Sequence, residues 1–131
     1  MNKIMKTIVN GVMNAVMNPV KSRKMMKATV MWQKAKEEAE EKRKMDGHRY
    51  FVIYDAVQKK LICITYDIYR ERGDSYKYLR LRGRFKRPLK REELKALCFY
   101  YTTSKWTPKP IGQEEEREKL VEWQKYYLKV G

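Results

Sequence analysis

The 131 residues contain only two cysteines, Cys63 and Cys98, and a single histidine, His48. With no closely spaced cysteine pair, the chain has neither the disulfide framework of a small secreted domain nor the ligand spacing of a zinc knuckle. A reduced setting such as the cytoplasm is the expectation, with one Cys63–Cys98 disulfide as the alternative. No metal site and no cofactor is expected. His48 stands beside Gly47, where a lone imidazole reads as a surface or structural group. Cys98 falls on an apolar helix stripe and reads as core, and neither thiol has a local partner for nucleophilic chemistry. A glycine-rich phosphate loop is also missing. The one enzyme-like arrangement would bring Asp55 and Asp67 together across two strands, where a third acid would complete a Mg²⁺ site. Without that third acid the chain reads as non-enzymatic.

Long apolar runs are lacking too. Residues 4–17 are rich in apolar side chains but are broken by Lys6, Asn10 and Asn14. They fall short of the roughly 20 residues a spanning helix needs. Acid is absent from residues 1–30, which carry +6, and scarce in residues 76–111, which carry +9; these two regions supply the net charge of +15. That excess is well beyond what solubility requires and points to an anionic partner: nucleic acid or an acidic protein surface, with a membrane surface less favoured.

The apolar periodicity divides the chain. Ile4, Ile8, Val12 and Val16 form one stripe at helical spacing, giving an amphipathic arm over residues 1–18 that docks on a protein partner. The polar face of this arm has few lysines, which argues against a membrane surface. Asn18-Pro19 breaks the arm and starts a second helix that runs to about Met45. In that helix Met25, Ala28, Trp32, Ala35 and Ala39 share a face. All eight methionines lie at or before residue 45, and methionine packs adaptably, in a core or against a partner. Residues 19–131 read as one small domain.

Strand-forming residues then take over. Residues 49–56 and 61–69 read as two strands, and residues 76–85 as a third, which makes an antiparallel meander with helices over one face. Residues 89–101 read as a helix, with Leu94, Leu97, Cys98 and Tyr101 on one side, and a last helix covers about 114–128. The expected architecture is α+β in the order α-α-β-β-β-α-α. Its α-β-β-β-α portion resembles double-stranded RNA-binding domains in element order alone. Residues 90–95, Lys-Arg-Glu-Glu-Leu-Lys, do not match that family's Lys-Lys-x-Ala-Lys pattern.

The stretch 78–91, YLRLRGRFKRPLKR, has seven basic residues and no acid. On a strand Arg80, Arg82 and Arg84 would share one face with Tyr76 and Tyr78, at a repeat of about 6.6–6.8 Å that is on the scale of phosphate spacing. Lys86, Arg87, Lys90 and Arg91 would extend the patch, and arginine offers planar, bidentate contacts to phosphate. The leading expectation is therefore a nucleic-acid-binding protein, of RNA or DNA, that grips the phosphate backbone as part of a larger assembly. No base-reading motif accompanies it. If Asp55, Asp67 or Glu71 pairs with the arginines, the patch is structural instead. The alternative function is a structural or adaptor protein that docks through its Met-rich N-terminal helix and aromatic surface. Trp106, in a Lys- and Pro-rich loop, reads either as a stacking or docking residue or as a lid on the core.

Overall fold

The computed structural model describes residues 19–72, 84 and 86–130. Among these the order is α1 (Pro19–Asp46), β1 (Phe51–Asp55), β2 (Lys60–Ile64), α2 (Tyr66–Arg72), α3 (Arg91–Leu97), β3 (Tyr100–Tyr101) and α4 (Gln113–Val130). The expected α+β class with a three-stranded antiparallel sheet stands, but the order α-α-β-β-β-α-α does not. The sheet runs β2-β1-β3. In it Phe51 pairs with both Ile64 and Tyr101. With that order, the resemblance to double-stranded RNA-binding domains goes as well.

β1 is the central strand, and all five of its residues are buried. The reason is that helices cover both faces of the sheet, not one. Val52, Tyr54, Leu61, Cys63 and Tyr100 face α1 and α4, packing with Ala28, Trp32, Ala35, Ala39, Leu120 and Trp123. Phe51, Ile53, Ile64 and Tyr101 face the other way, onto Tyr69, Leu89, Leu94 and Cys98. The period-2 alternation of a strand thus feeds two separate cores.

The stripe Ala28-Trp32-Ala35-Ala39 is what seats α1. Its small alanines admit close approach, and Cys63 Sγ donates to the Ala35 carbonyl at 3.2 Å. Trp32 Nε1 donates to the Phe99 carbonyl at 2.8 Å, and Trp123 Nε1 on α4 donates to the Ala28 carbonyl at 2.8 Å. Both buried indoles therefore keep a hydrogen bond, as buried polar groups require. α1 ends where the sequence places its stop. Gly47 has φ +77° and its N–H returns to the Arg43 carbonyl at 2.7 Å.

Two elements depart from expectation. The predicted strand 61–69 stops at Ile64, and α2 begins two residues later. Thr65 switches the chain: its Oγ1 accepts the Ile68 N–H at 3.3 Å, and its carbonyl accepts the Tyr69 N–H at 3.1 Å. Asp67 lies in the first turn and Arg70 and Arg72 in the last, in the sense the helix dipole favours. The apolar alternation of Ile62, Ile64, Tyr66 and Ile68 continues by coincidence into a helix that buries Tyr69.

The predicted helix 89–101 is the second departure, because α3 ends at Leu97. Cys98 turns extended, and Phe99 N–H donates to the Val52 carbonyl at 2.8 Å. Residues 98–102 are all buried. No one-sided helix buries five consecutive residues, whereas an edge strand between two cores does. So β3 lies here; the expected third strand at 76–85 falls outside the described residues except for Arg84. Arg84 sits in a turn with φ +62°, which is not a strand conformation.

Lys119, 6% exposed, anchors this switch from α4. Its ammonium donates to the carbonyls of Lys95, Ala96 and Cys98 at 2.9, 3.1 and 2.9 Å. These are carbonyls left over at the end of α3, where a cation also meets the negative end of the helix dipole.

Candidate docking surface and basic cleft

Of the predicted nucleic-acid residues, Tyr76, Tyr78, Arg80 and Arg82 lie outside the described residues. The predicted docking stripe Ile4, Ile8, Val12 and Val16 lies outside them too. Arg84, Lys86 and Lys90 are exposed. Arg87 forms a two-pronged ion pair with Glu93, at 2.7 and 2.9 Å. The Arg87 guanidinium, followed by the Lys90 N–H at 2.7 Å, pulls the Glu93 carboxyl down to about 2. The same bond raises the Arg87 pKa further. Arg87 is thus already engaged with a carboxylate.

Of the three acids suggested as partners for the arginine row, Asp55 has other work, while Asp67 and Glu71 are exposed. Asp55 is buried and caps the β1–β2 turn, accepting from the N–H groups of Val57 and Gln58 at 2.9 and 3.1 Å and from Gln58 Nε2 at 3.1 Å. Glu115 accepts from the Tyr101 hydroxyl at 2.6 Å, and Glu116 pairs with Lys36 to tie α4 to α1. Burial, reinforced by Glu115, pushes the Tyr101 hydroxyl well above its ordinary pKa. Among the described residues no group of three His, Cys, Asp or Glu side chains is placed to hold a metal ion, and no helix is long and apolar enough to cross a membrane. Cys63 and Cys98 are both free and buried. Burial is the main cause that pushes their thiols up, to about 12 and about 11.

Among the described residues, Arg91 is the predicted cation that lines a concave site. Its guanidinium lies 4.9 Å from the centre of the Tyr66 ring, whose hydroxyl is fixed on the Leu89 carbonyl at 3.0 Å. Arg49 stands in the same cleft. Its Nε donates to the Thr102 carbonyl at 2.9 Å, and its guanidinium lies 5.3 Å from the centre of the Tyr101 ring. The cleft has a volume of about 240 Å³, and its walls include His48, Asp67 and Trp106.

Trp106 is 62% exposed, so it is not a lid on the core. A tight turn holds it out. Ser104 Oγ accepts from the N–H groups of Trp106 and Thr107, at 3.2 and 3.0 Å, and the Lys105 N–H donates to the Gly47 carbonyl at 2.9 Å. Gly47 suits this turn because of its positive φ; a Cβ there would also come within 3.0 Å of Cδ of the exposed Lys105, which would have to give way slightly. The Trp106 ring is flanked by the Lys105 ammonium at 4.6 Å and the His48 ring at 5.5 Å. Sequence reasoning singled out Arg91, Trp106 and His48 separately. It missed Arg49 and Tyr66 as members of the cleft, because four separate segments build it and no local pattern joins them.

The second feature is the outer face of α1. Opposite the buried alanines, Met26 and Val30 are 67% and 52% exposed and stand one turn apart. Arg23, Lys27 and Lys34, all exposed, lie three or four residues from them on the same side. Residues 19–34 contain five basic residues and no acid. Comparison with protein-family profiles, with curated proteins and with solved structures found no significant match.

Proposed function

We propose that the protein is a non-catalytic structural or adaptor protein that docks on an acidic protein surface through the outer face of α1. The N-terminal stripe Ile4, Ile8, Val12 and Val16 belongs to this reading as a further contact, on sequence grounds alone. The observation that carries it is the exposed Met26–Val30 pair set among cations in a stretch, residues 19–34, that contains no acid. Two apolar side chains provide area to bury on contact, about 1.5–3 kcal/mol for each that becomes fully covered. Methionine adapts to an irregular partner. The surrounding Arg23, Lys27 and Lys34 favour an acidic partner and disfavour a basic one.

Nucleic-acid binding is the competing reading, supported by the exposed Arg84, Lys86 and Lys90. It is weakened by Arg87, which Glu93 already engages. The test places a photo-crosslinking residue at position 26 or 30 of the full chain, with a control at the exposed Lys125 on α4. Discrete protein adducts at 26 and 30, lost when Arg23 and Lys27 are both changed to Glu, are expected. Nuclease-sensitive adducts, or equal crosslinking from position 125, overturn the reading. In parallel, fluorescence anisotropy follows labelled duplex RNA, duplex DNA and single strands across a salt titration. Tight, salt-dependent binding abolished by R84A/K86A/K90A would assign the function to nucleic acid instead.

A further inference from the structure

We infer that the cleft between Arg49, Arg91 and Trp106 is a second recognition site, built to take one oxyanion-bearing side chain of a peptide, phosphoryl or carboxylate. The inference rests on the docking reading for the kind of partner, but the cleft is a separate site and is tested separately.

Size comes first. At about 240 Å³ the cleft is several times the roughly 30 Å³ of one water. It is smaller than the roughly 300–1,000 Å³ of pockets that enclose a whole drug-sized ligand. It matches one side chain inserted from outside.

Charge and geometry give the chemistry. Neither Arg49 nor Arg91 forms an ion pair among the described residues. Arg49 is held in place, and the exposed Arg91 has one ring contact. Arg49 is pinned through Nε to the Thr102 carbonyl and set over Tyr101, and Arg91 is set over Tyr66. Arg49 keeps its terminal nitrogens available beyond the Nε bond, and a guanidinium fork is suited to two parallel bonds to a phosphoryl or carboxylate group. A side chain fixed before binding, as Arg49 is, loses less freedom when the ligand arrives. Trp106, exposed on its self-bonded turn, supplies a flat apolar shelf for the stem of the inserted side chain or its neighbour.

Asp67 is the opposing element. It is an exposed carboxylate on the wall of the same cleft, and it repels any anion that enters. Its presence makes a sign-specific prediction: D67N strengthens oxyanion binding, an effect that a merely structural role for the cleft would not produce.

The experiment is an NMR titration of the full chain, following the Trp106 indole N–H, with four short peptides of one sequence. They carry phosphotyrosine, phosphoserine, glutamate or glutamine at the central position, and inorganic phosphate serves as a separate probe. The expected result is saturable perturbation by at least one of the three anionic peptides and none by the glutamine peptide. R91Q, at an exposed position, should weaken binding roughly ten- to a hundredfold, the loss of one charge-assisted contact. R49K, which keeps the charge but loses the fork, should weaken it less than R49Q. The three anionic peptides separate the phosphoryl from the carboxylate source. The inference fails if no peptide perturbs Trp106 at millimolar concentration, or if R91Q and D67N leave the affinities unchanged. It also fails if inorganic phosphate binds as tightly as the best peptide, or if an oligonucleotide outcompetes every peptide there. Such a failure with position-26 crosslinks intact would leave the α1 docking reading standing. Loss of the crosslinks with peptide binding intact would remove that reading and keep the cleft.

Discussion

Changing Lys119 to Met tests whether a buried ammonium, rather than apolar packing alone, sets where α3 gives way to β3. Met keeps most of the stem and removes the charge. Three carbonyls, of Lys95, Ala96 and Cys98, then lose donors at 2.9–3.1 Å. Hydrogen bonds to charged groups contribute about 1.5–3 kcal/mol each. They share one ammonium, and removing a charge from a buried site recovers part of its desolvation cost. The net expected loss is therefore about 2–4 kcal/mol, below the simple sum. For a chain of this size that corresponds to a fall in melting temperature on the order of 6–15 °C. Urea unfolding followed by tryptophan fluorescence reads it directly, as a lower midpoint with an unchanged slope. K129M, at an exposed position on the same helix, is the control and should change stability by no more than about 0.5 kcal/mol. A K119M protein within about 0.5 kcal/mol of the parent, or more stable than it, would refute the argument: the carbonyls would then be satisfied without the ammonium.

Three further outcomes are expected. In a pH titration followed by NMR, Glu93 should ionise near 2, not near its ordinary 4.5, and R87Q should move it back up. Because its folded pKa is depressed, whatever it adds to stability is present above about 4.5 and lost as pH falls toward 2; an unshifted midpoint would mean that Arg87 is not held. The raised pKa values of Cys63 and Cys98, about 12 and about 11 against 9.0, have the opposite sign. Their contribution is present below pH 9 and lost as pH rises through 11 to 12, so urea midpoints should fall in that window, and at pH 8 a thiol reagent should label the native protein at least about a hundredfold more slowly than the unfolded one; equal rates would show that the thiols are accessible. The described core draws its members from Ala28 to Tyr127, so deletion of residues 1–18 should leave a cooperative unfolding transition, and its loss would place that segment in the domain itself.

The strongest local patterns were legible in the sequence. The stripe Met25-Ala28-Trp32-Ala35-Ala39 with its Gly47 stop defined α1, the first strand and its turn were recognisable, and the acid-to-base gradient of 113–130 marked α4. What misled was ambiguity between two periods. Ile62, Ile64, Tyr66 and Ile68 alternate like a strand, yet Thr65 caps a helix in the middle of them. Leu94, Leu97, Cys98 and Tyr101 fit a helical stripe, yet Phe99, Tyr100 and Tyr101 are also strand formers, and the free edge of β1 takes them. The cue was the run of three aromatics, which no single helix face buries. The candidate site was only partly visible: Arg91, Trp106 and His48 drew notice one at a time, and nothing local linked them to Arg49.

By itself, then, the sequence determined the class, the long helices, the location of the first strand and the basic excess, because these follow from periodicity, capping and charge within a few residues. The tertiary structure decided the third strand, the covering of both sheet faces, the pairing of Arg87 with Glu93 and the assembly of the cleft. Each of these depends on contacts between segments far apart in the chain. There a backbone edge, a carbonyl or a carboxylate chooses between conformations that local propensity leaves nearly equal.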